Sequence, residues 1–185
     1  MILAGGASRR FGADKALADL GGRTLVALVA AALAPFTTDL MISIERSDRP
    51  LPEDLPARPV TDLHPGQGPL AGFYAGLLAA QHERCLVAAC DMPFIQPEVL
   101  SLLAACEEDA VVPFVDGARQ PLLAMYTKAC LPQIGAMLRE GDLRAENLCF
   151  RAAVRYVEED ELRSVDPDLK SFLNVNRPED LTGHF

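Results

Sequence analysis

The residues best suited to chemistry lie near the start of the chain. Gly5 and Gly6 follow a short apolar run. Paired glycines adopt positive φ without a Cβ penalty, so their N–H groups can converge on an anion. Arg9, Arg10 and Lys15 bring positive charge to the same segment, although the formal net charge of the chain is −9. The segment therefore predicts a phosphate-binding loop.

Two plainer interpretations of this loop stay open, namely a tight strand-to-helix turn and the turn of a dinucleotide-binding unit. A Walker A loop is excluded because no Gly-Lys-Ser/Thr follows the glycines, and the G-x-G-x-x-G spacing is also absent. Dinucleotide binding expects an acidic residue about 20 positions after the glycines. Glu45 lies about twice as far along, which weighs against that interpretation.

Two aspartates are candidates for binding a metal ion or a substrate, and two asparagines are candidates for binding a polar substrate. Asp91 follows the apolar run 85–89, and Mg²⁺ takes such a carboxylate together with substrate phosphates. Asp62 follows a short predicted strand at residues 59–61. Turn or cap aspartates remain the alternative for both. Asn174 and Asn176 are two positions apart, so an extended backbone turns both amides to one side; asparagines in a turn are the alternative.

Glycines and cysteines allow further interpretations. Gly68 and Gly72 either let a planar base lie close to the backbone or let a helix pack against a strand. The five cysteines form no C-x-x-C pair, so we expect reduced core residues rather than a zinc site, a disulfide framework or a catalytic thiol.

Alternating strand and helix patterns must position these residues. The predicted strands are residues 1–4, 39–44, 59–61, 85–89, 110–115, 121–126 and 153–157. The predicted helices are residues 24–33, 70–81, 97–105 and 128–140, with a closing helix from Pro178. The two strands after residue 109 are expected to be joined by a turn at Asp116 and Gly117.

This order predicts an α/β fold with three layers, in which helices cover both faces of a Rossmann-like, mostly parallel sheet. One antiparallel excursion is expected after Asp116. Ligands of such sheets bind outside the carboxyl ends of the strands. The glycine loop, Asp62 and Asp91 all fall at those ends, so we expect them to converge.

Length and composition limit the number of domains, the kinds of partner and the cellular location that we expect. We expect residues 1–185 to form a single domain, since that length can bury a proper core. A sequence pI near 4.8 argues against nucleic acid as a partner. No apolar run reaches the roughly 20 residues of a membrane helix. We expect no secretory leader and a cytoplasmic location; whether strand residues precede Met1 is left open.

Four segments resemble a known family. Residues 3–17 closely resemble the signature of small nucleotidyltransferases with a nucleotide-diphospho-sugar-transferase-like fold. Residues 68–72 (GPLAG), 90–93 (CDMP) and 174–181 (NVNRPEDL) resemble those of the molybdenum cofactor guanylyltransferases. The resemblance implies transfer of GMP from GTP to molybdenum-molybdopterin, with release of pyrophosphate. It also implies transient contacts with molybdenum cofactor biosynthesis proteins or molybdoenzyme chaperones.

The resemblance further implies roles for residues. Catalysis would fall to Lys15, Arg9 and Asp91, with Asp91 holding Mg²⁺, and the acceptor would contact Asn174 and Asn176. The nucleotide would contact Leu3, Ala4 and Gly5 through their backbone, and also Gly6, Lys15, Glu45, Asp62, Gly68, Pro69 and Leu70. We expect the Lys15 side chain to be solvated, so that its loss harms phosphate binding and turnover more than folding.

One position departs from the family pattern. The family commonly has an asparagine where this chain has Glu45. A carboxylate there can accept hydrogen bonds from guanine N1–H and the 2-amino group. A related cytidylyltransferase, another small-molecule nucleotidylyltransferase and a non-catalytic nucleotide-binding module stay open as alternatives.

Overall fold

The structure is a computed structural model that describes residues 1–4, 14–176 and 180. Four residues of the predicted phosphate loop, Gly5, Gly6, Arg9 and Arg10, lie outside the described residues. The predicted closing helix from Pro178 also falls outside them, apart from Asp180.

Ten strands are assigned within the described residues. They are β1 (Ile2–Leu3), β2 (Asp19–Leu20), β3 (Arg23–Thr24), β4 (Met41–Ile44), β5 (Arg58–Thr61), β6 (Arg84–Ala89), β7 (Ala110–Val115), β8 (Ala118–Arg119), β9 (Leu123–Thr127) and β10 (Val154–Val157). The α-helices are α1 (Leu25–Leu33), α2 (Gly68–Ala79), α3 (Pro97–Ala105), α4 (Leu131–Glu140) and α5 (Glu159–Arg163). Short 3-10 segments lie at Lys15–Leu17, Ala34–Phe36, Lys128–Cys130, Ala145–Phe150 and Lys170–Phe172.

The main sheet has the strand order β10-β7-β9-β6-β1-β4-β5, with β8 paired to β7. Neighbours pair in parallel except that β9 is antiparallel to both β6 and β7, and β8 is antiparallel to β7. The predicted antiparallel excursion is confirmed. Its turn was predicted wrongly: Asp116 and Gly117, both at positive φ, join β7 to β8, and β9 follows later. Positive φ at both positions is typical of a two-residue hairpin.

Helices cover both faces of the sheet. Residues of α1, α3 and α5 pack into one apolar core, and residues of α2 and α4 pack into the other. Successive strand residues alternate between them, so Ile2 joins the first core and Leu3 the second. The predicted three-layer arrangement is confirmed. The longest described helix, α2, has 12 residues, and none in the described part is long and apolar enough to cross a membrane.

Several boundaries differ from the sequence prediction for local reasons. Helix α1 begins at Leu25 because the Thr24 hydroxyl caps it, accepting from the Ala27 N–H. Helix α2 begins at Gly68, two residues before the predicted start, and Pro69 stands at a position where its missing N–H costs nothing. Gly141 ends α4 at φ 75°, as predicted. The β2–β3 hairpin and α5 were not predicted.

Candidate active site

The carboxyl ends of four adjacent parallel strands meet at one edge of the sheet. The Cys90 N–H donates to the Leu3 carbonyl at 3.0 Å, and the Ala4 N–H donates to the Ser43 carbonyl at 3.3 Å. On the next strand the Asp62 N–H donates to the Ile44 carbonyl at 2.9 Å. These bonds place the chain after β1, β4, β5 and β6 side by side. Asp62 and Asp91 therefore share this edge, as predicted.

Lys15 contacts both a predicted metal ligand and a predicted acceptor residue. Its Nζ lies 2.8 Å from Asp91 Oδ2 and 3.0 Å from Asn176 Oδ1. The side chains of Lys15 and Asp91 are only 14% and 25% exposed. The expectation of a solvated Lys15 is therefore wrong, because its side chain is mostly buried and its ammonium group contacts Asp91 and Asn176.

The segment 174–176 docks on the end of β6. The buried Val175 donates its N–H to the Asp91 carbonyl at 2.9 Å and packs with Leu20 and Leu25. Asn174 and Asn176 are exposed and line one cavity. The prediction that both amides face the same side is confirmed.

That cavity, of about 570 Å³, adjoins Asp91 and Asn176. It is lined by Pro69, Ala89, Asp91, Met92, Gln120, Pro121, Leu122, Leu143, Arg144, Ala145, Glu146, Asn174 and Asn176. Gln120 and Arg144 were missed, because no spacing rule links residues that distant segments bring to one wall. A second cavity, of about 660 Å³, lies at the opposite edge of the sheet, and none of the described candidate residues lines it.

Asp62 is buried against Ser43 and α2. The Ser43 hydroxyl donates to Asp62 Oδ1 at 2.7 Å. Burial raises the pKa of the Asp62 carboxyl, and the charge of Glu45 raises it further, while the Ser43 bond and the charge of Arg49 lower it. The half-buried Glu45 is therefore electrostatically coupled to Asp62. Both predicted nucleotide-binding carboxylates lie on the β4–β5 side of the edge.

Gly72 and Gly68 of α2 differ in the space available for a side chain. A Cβ on Gly72 would lie 2.0 Å from Ser43 Oγ and 3.0 Å from Asp62 Oδ1. Gly72 thus serves helix-on-strand packing, the second of its two sequence interpretations. Gly68 has φ +68° and open space where a Cβ would stand. Its backbone is therefore accessible to a ligand at the start of α2.

Three apolar residues among the predicted nucleotide contacts have buried side chains. Leu3, Ala4 and Leu70 are at most 4% exposed. Only their backbone can meet a ligand, which agrees with the backbone role expected for Leu3 and Ala4. The carbonyl of Ala4 already accepts a hydrogen bond from Arg49. Arg49 itself was missed, because it lies in a proline-rich loop without periodic pattern.

The described residues fit a magnesium ion held mainly by substrate. No group of three or more His, Cys, Asp or Glu side chains in the described ranges could form a complete protein cage. Mg²⁺ usually keeps several waters and binds one or two carboxylates plus phosphates. Asp91, which lines the cavity, could supply one such carboxylate.

The cysteines have the character of core residues. All five are free thiols. Burial raises the pKa of Cys90 to about 12 and that of Cys130 to about 11, and it also raises the pKa of Cys149. A thiol with such a pKa stays protonated at neutral pH and is a poor nucleophile. This favours a core role for Cys90.

Comparison with known sequences extends over nearly the whole chain. The family model of the MobA-like NTP transferase domain matches residues 1–155. A probable molybdenum cofactor guanylyltransferase of Pelotomaculum thermopropionicum is 39% identical over 183 residues, covering 98% of this chain and 88% of the relative. The molybdenum cofactor guanylyltransferase of Desulfosudis oleivorans is 38% identical, with 98% and 91% covered.

Solved structures agree. The molybdopterin-guanine dinucleotide biosynthesis protein A from Archaeoglobus fulgidus superposes with a TM-score of 0.80 at 34% identity, covering 97% of this chain and 93% of that one. The 2-C-methyl-D-erythritol 4-phosphate cytidylyltransferase from Thermus thermophilus superposes with a TM-score of 0.70 at 20% identity, covering 98% and 94%, which shows a shared fold alone. The predicted nucleotide-diphospho-sugar-transferase type of fold is confirmed, and the chain belongs to the MobA-like NTP transferase family.

Proposed function

We propose that this chain transfers GMP from GTP to the phosphate of molybdenum-molybdopterin and releases pyrophosphate. The observation that carries the proposal is the contact of Lys15 Nζ with both Asp91 and Asn176. Residues assigned separately to donor phosphates, metal and acceptor thus meet at one point beside a cavity. The names of the relatives at 38–39% identity support the same reaction.

The chemistry needs few protein groups. An oxygen of the acceptor phosphate attacks the α-phosphorus of GTP, a new P–O bond forms, and the bond to the β-phosphate oxygen breaks. A phosphate monoester is already anionic at neutral pH, so no general base is required. Catalysis of such transfers is mostly positioning and charge neutralisation. Lys15 can supply both, and it stands within reach of the two subsites.

Asp91 is the residue we propose to hold Mg²⁺. When bound, the ion would neutralise charge on the triphosphate. Asp91 would then share its carboxylate between the ion and Lys15. Arg9 and Gly6 remain candidates for the phosphate side by family resemblance.

The acceptor side is the cavity that Asp91 borders. Asn174 and Asn176 present amides to it, and Gln120 and Arg144 add a third amide and a cation. Amide groups can both donate and accept, which suits the polar edge of a pterin. The exposed guanidinium of Arg144 suits an anionic group of the acceptor.

The guanine side is assigned to the β4–β5 edge. Glu45 can accept from both N1–H and the 2-amino group of guanine, a donor pair that cytosine lacks. Gly68 and Pro69 begin α2, the helix whose Gly72 packs against Asp62. Pro69 also lines the cavity assigned to the acceptor. A cytidylyltransferase is the runner-up, but the cytidylyltransferase from Thermus thermophilus shares only the fold. The cytoplasmic location and the protein partners stay predictions.

Acceptor dependence tests the proposal. Purified protein with Mg²⁺ and GTP radiolabelled at the α-phosphate should release pyrophosphate only when molybdenum-loaded molybdopterin is present. Label should then appear in a product that comigrates with the guanine dinucleotide form of the cofactor. Pyrophosphate release at the same rate without acceptor, or GTP binding without any turnover, would contradict the proposal.

A further inference from the structure

Arg49 connects the two ends of the segment 5–13. Its Nε and Nη2 donate to the two carboxylate oxygens of Asp14, with Nε 2.8 Å from Oδ2. Its Nη1 donates to the carbonyl oxygen of Ala4. Ala4 is the last described residue before the segment, and Asp14 is the first described residue after it. One side chain thus ties the end of β1 to the start of the Lys15 turn.

This contact differs from an ordinary surface ion pair. The side chains of Arg49 and Asp14 are 15% and 28% exposed, whereas Arg46 and Asp48 in the same loop are 75% and 67% exposed. Exposed pairs contribute little because water screens them and long side chains lose entropy. A bidentate arginine–carboxylate pair that is mostly shielded fixes geometry as well as charge.

Asp14 also forms hydrogen bonds within the turn that carries Lys15, so its position affects that of Lys15. Asp14 Oδ1 also accepts from the Ala16 N–H at 3.1 Å, and the Asp14 carbonyl accepts from the Leu17 N–H at 3.0 Å. Asp14 therefore caps the 3-10 turn on which Lys15 stands. The turn is therefore held at two points. Arg49 holds it through Asp14, and Asp91 holds it through the ammonium group of Lys15.

We propose that Arg49 is a positioning residue for phosphate transfer, which holds Ala4 and Asp14 so that Lys15 is presented to the triphosphate. The proposal rests on the proposed function. Arg49 does not need to touch the substrate in this role, because its Nε, Nη1 and Nη2 already donate to Asp14 and Ala4. The planar guanidinium of Arg49 donates to two residues at once, and this geometry matters more than the positive charge. A lysine at position 49 should therefore not replace the arginine.

Single variants give the first test. Arg49→Met and Arg49→Lys should both lower kcat about 10–100-fold, since small misplacements of a catalytic group have effects of that order. Arg46→Met, which removes the same charge from the same loop, should retain wild-type kcat. Wild-type turnover by Arg49→Lys, or an equal loss in Arg46→Met, would mean that charge alone matters and would overturn the proposal.

A double-variant cycle asks whether Arg49 acts through Lys15. GTP dissociation constants are measured for wild type, Arg49→Met, Lys15→Met and the double variant. If Arg49 works by placing Lys15, its substitution should weaken binding in wild type but change it less than about twofold once Lys15 is gone. Fully multiplicative effects would overturn the proposal.

Amide hydrogen exchange without nucleotide separates this proposal from the proposed function. Arg49→Met should exchange roughly tenfold faster or more at Ala16 and Leu17, while the amides of α4 stay unchanged. This result does not depend on which reaction the wild-type protein catalyses. Unchanged exchange at Ala16 and Leu17, or faster exchange throughout the chain, would contradict the positioning role.

Discussion

Lys15 Nζ lies 2.8 Å from Asp91 Oδ2, which joins residues 76 positions apart in the chain. The same Nζ lies 3.0 Å from Asn176 Oδ1. The structure thus connects the chain after β1, the end of β6 and the carboxy-terminal segment through one ammonium group. Substitution of Lys15 or Asp91 should therefore affect more than one subsite.

Lys15→Met should lower turnover about 100–1000-fold, because a preorganised cation at the transferring phosphate is lost. The variant should also lose roughly 1 kcal/mol of unfolding free energy, since a half-buried Asp91 carboxylate is left without its partner. Steady-state kinetics and urea unfolding measure the two effects. Wild-type turnover, or a loss of stability with kinetics unchanged, would assign Lys15 a structural role only.

Asp91→Asn should raise the Mg²⁺ concentration needed for half-maximal turnover and lower kcat about 100-fold or more, because a neutral amide is a poor ligand for a hard cation. Asp168→Asn is the matched control, since Asp168 is 72% exposed and lies beside Lys170. A magnesium titration of product formation measures both. An Asp91→Asn protein that forms product at the wild-type rate would exclude the metal role.

Asp62→Asn should weaken GTP binding without destabilising the fold. The pKa of Asp62 is raised chiefly by burial, so the charged form of this carboxyl destabilises the folded chain. An asparagine removes the charge and can still accept the hydrogen bond from Ser43. At neutral pH the variant should therefore be at least as stable as wild type.

The raised pKa of Asp62 also predicts how the stability difference between Asp62→Asn and wild type changes with pH. Below the ordinary carboxyl pKa of 3.8, Asp62 is protonated in both the folded and the unfolded chain, and the variant gains nothing. As the pH rises through the raised folded-state pKa, the folded wild type holds its proton longer and loses stability relative to Asp62→Asn. Urea unfolding at a series of pH values measures the gap. A gap that narrows with rising pH would contradict this explanation.

Gly72→Ala should mainly lower the stability of the fold, whereas Gly68→Ala should mainly weaken GTP binding. At Gly72 the new Cβ meets Ser43 Oγ at 2.0 Å, so the cost should be about 1–3 kcal/mol of unfolding free energy. At Gly68 the space is open and only the positive φ is strained, at about 1 kcal/mol. Gly68→Ala should instead weaken GTP binding. Thermal unfolding and GTP titration compare them, and a larger stability loss at Gly68 would reverse these assignments.

Much of the fold could be predicted because strand and helix periodicity is local. The apolar run 85–89 was enough to place Asp91 at the carboxyl end of a strand, and the period of two at residues 174–176 was enough to turn both amides to one side. The β2–β3 hairpin could not be predicted, because its strands are two residues each and their pairing depends on Gly21 and Gly22 at positive φ.

The contacts that organise the candidate site were harder to predict. The proline-rich loop carrying Arg49 has no periodic pattern, and only the folded chain brings it to Asp14 and Ala4. The same is true of Lys15, whose ammonium group contacts Asn176, 161 positions away. Arg144 and Gln120 reach the cavity from separate elements. Tertiary packing sets all of these contacts, and local sequence does not encode them.

Competition between nucleotides is the most direct test of the proposed function. GTP and CTP at equal concentration are supplied together with Mg²⁺ and molybdenum-loaded molybdopterin, and the two dinucleotide products are separated. GMP transfer should exceed CMP transfer by roughly 100-fold or more, because cytosine cannot offer Glu45 the N1–H and 2-amino donors. Equal amounts of the two products, or an excess of the cytosine product, would contradict the assignment as a guanylyltransferase.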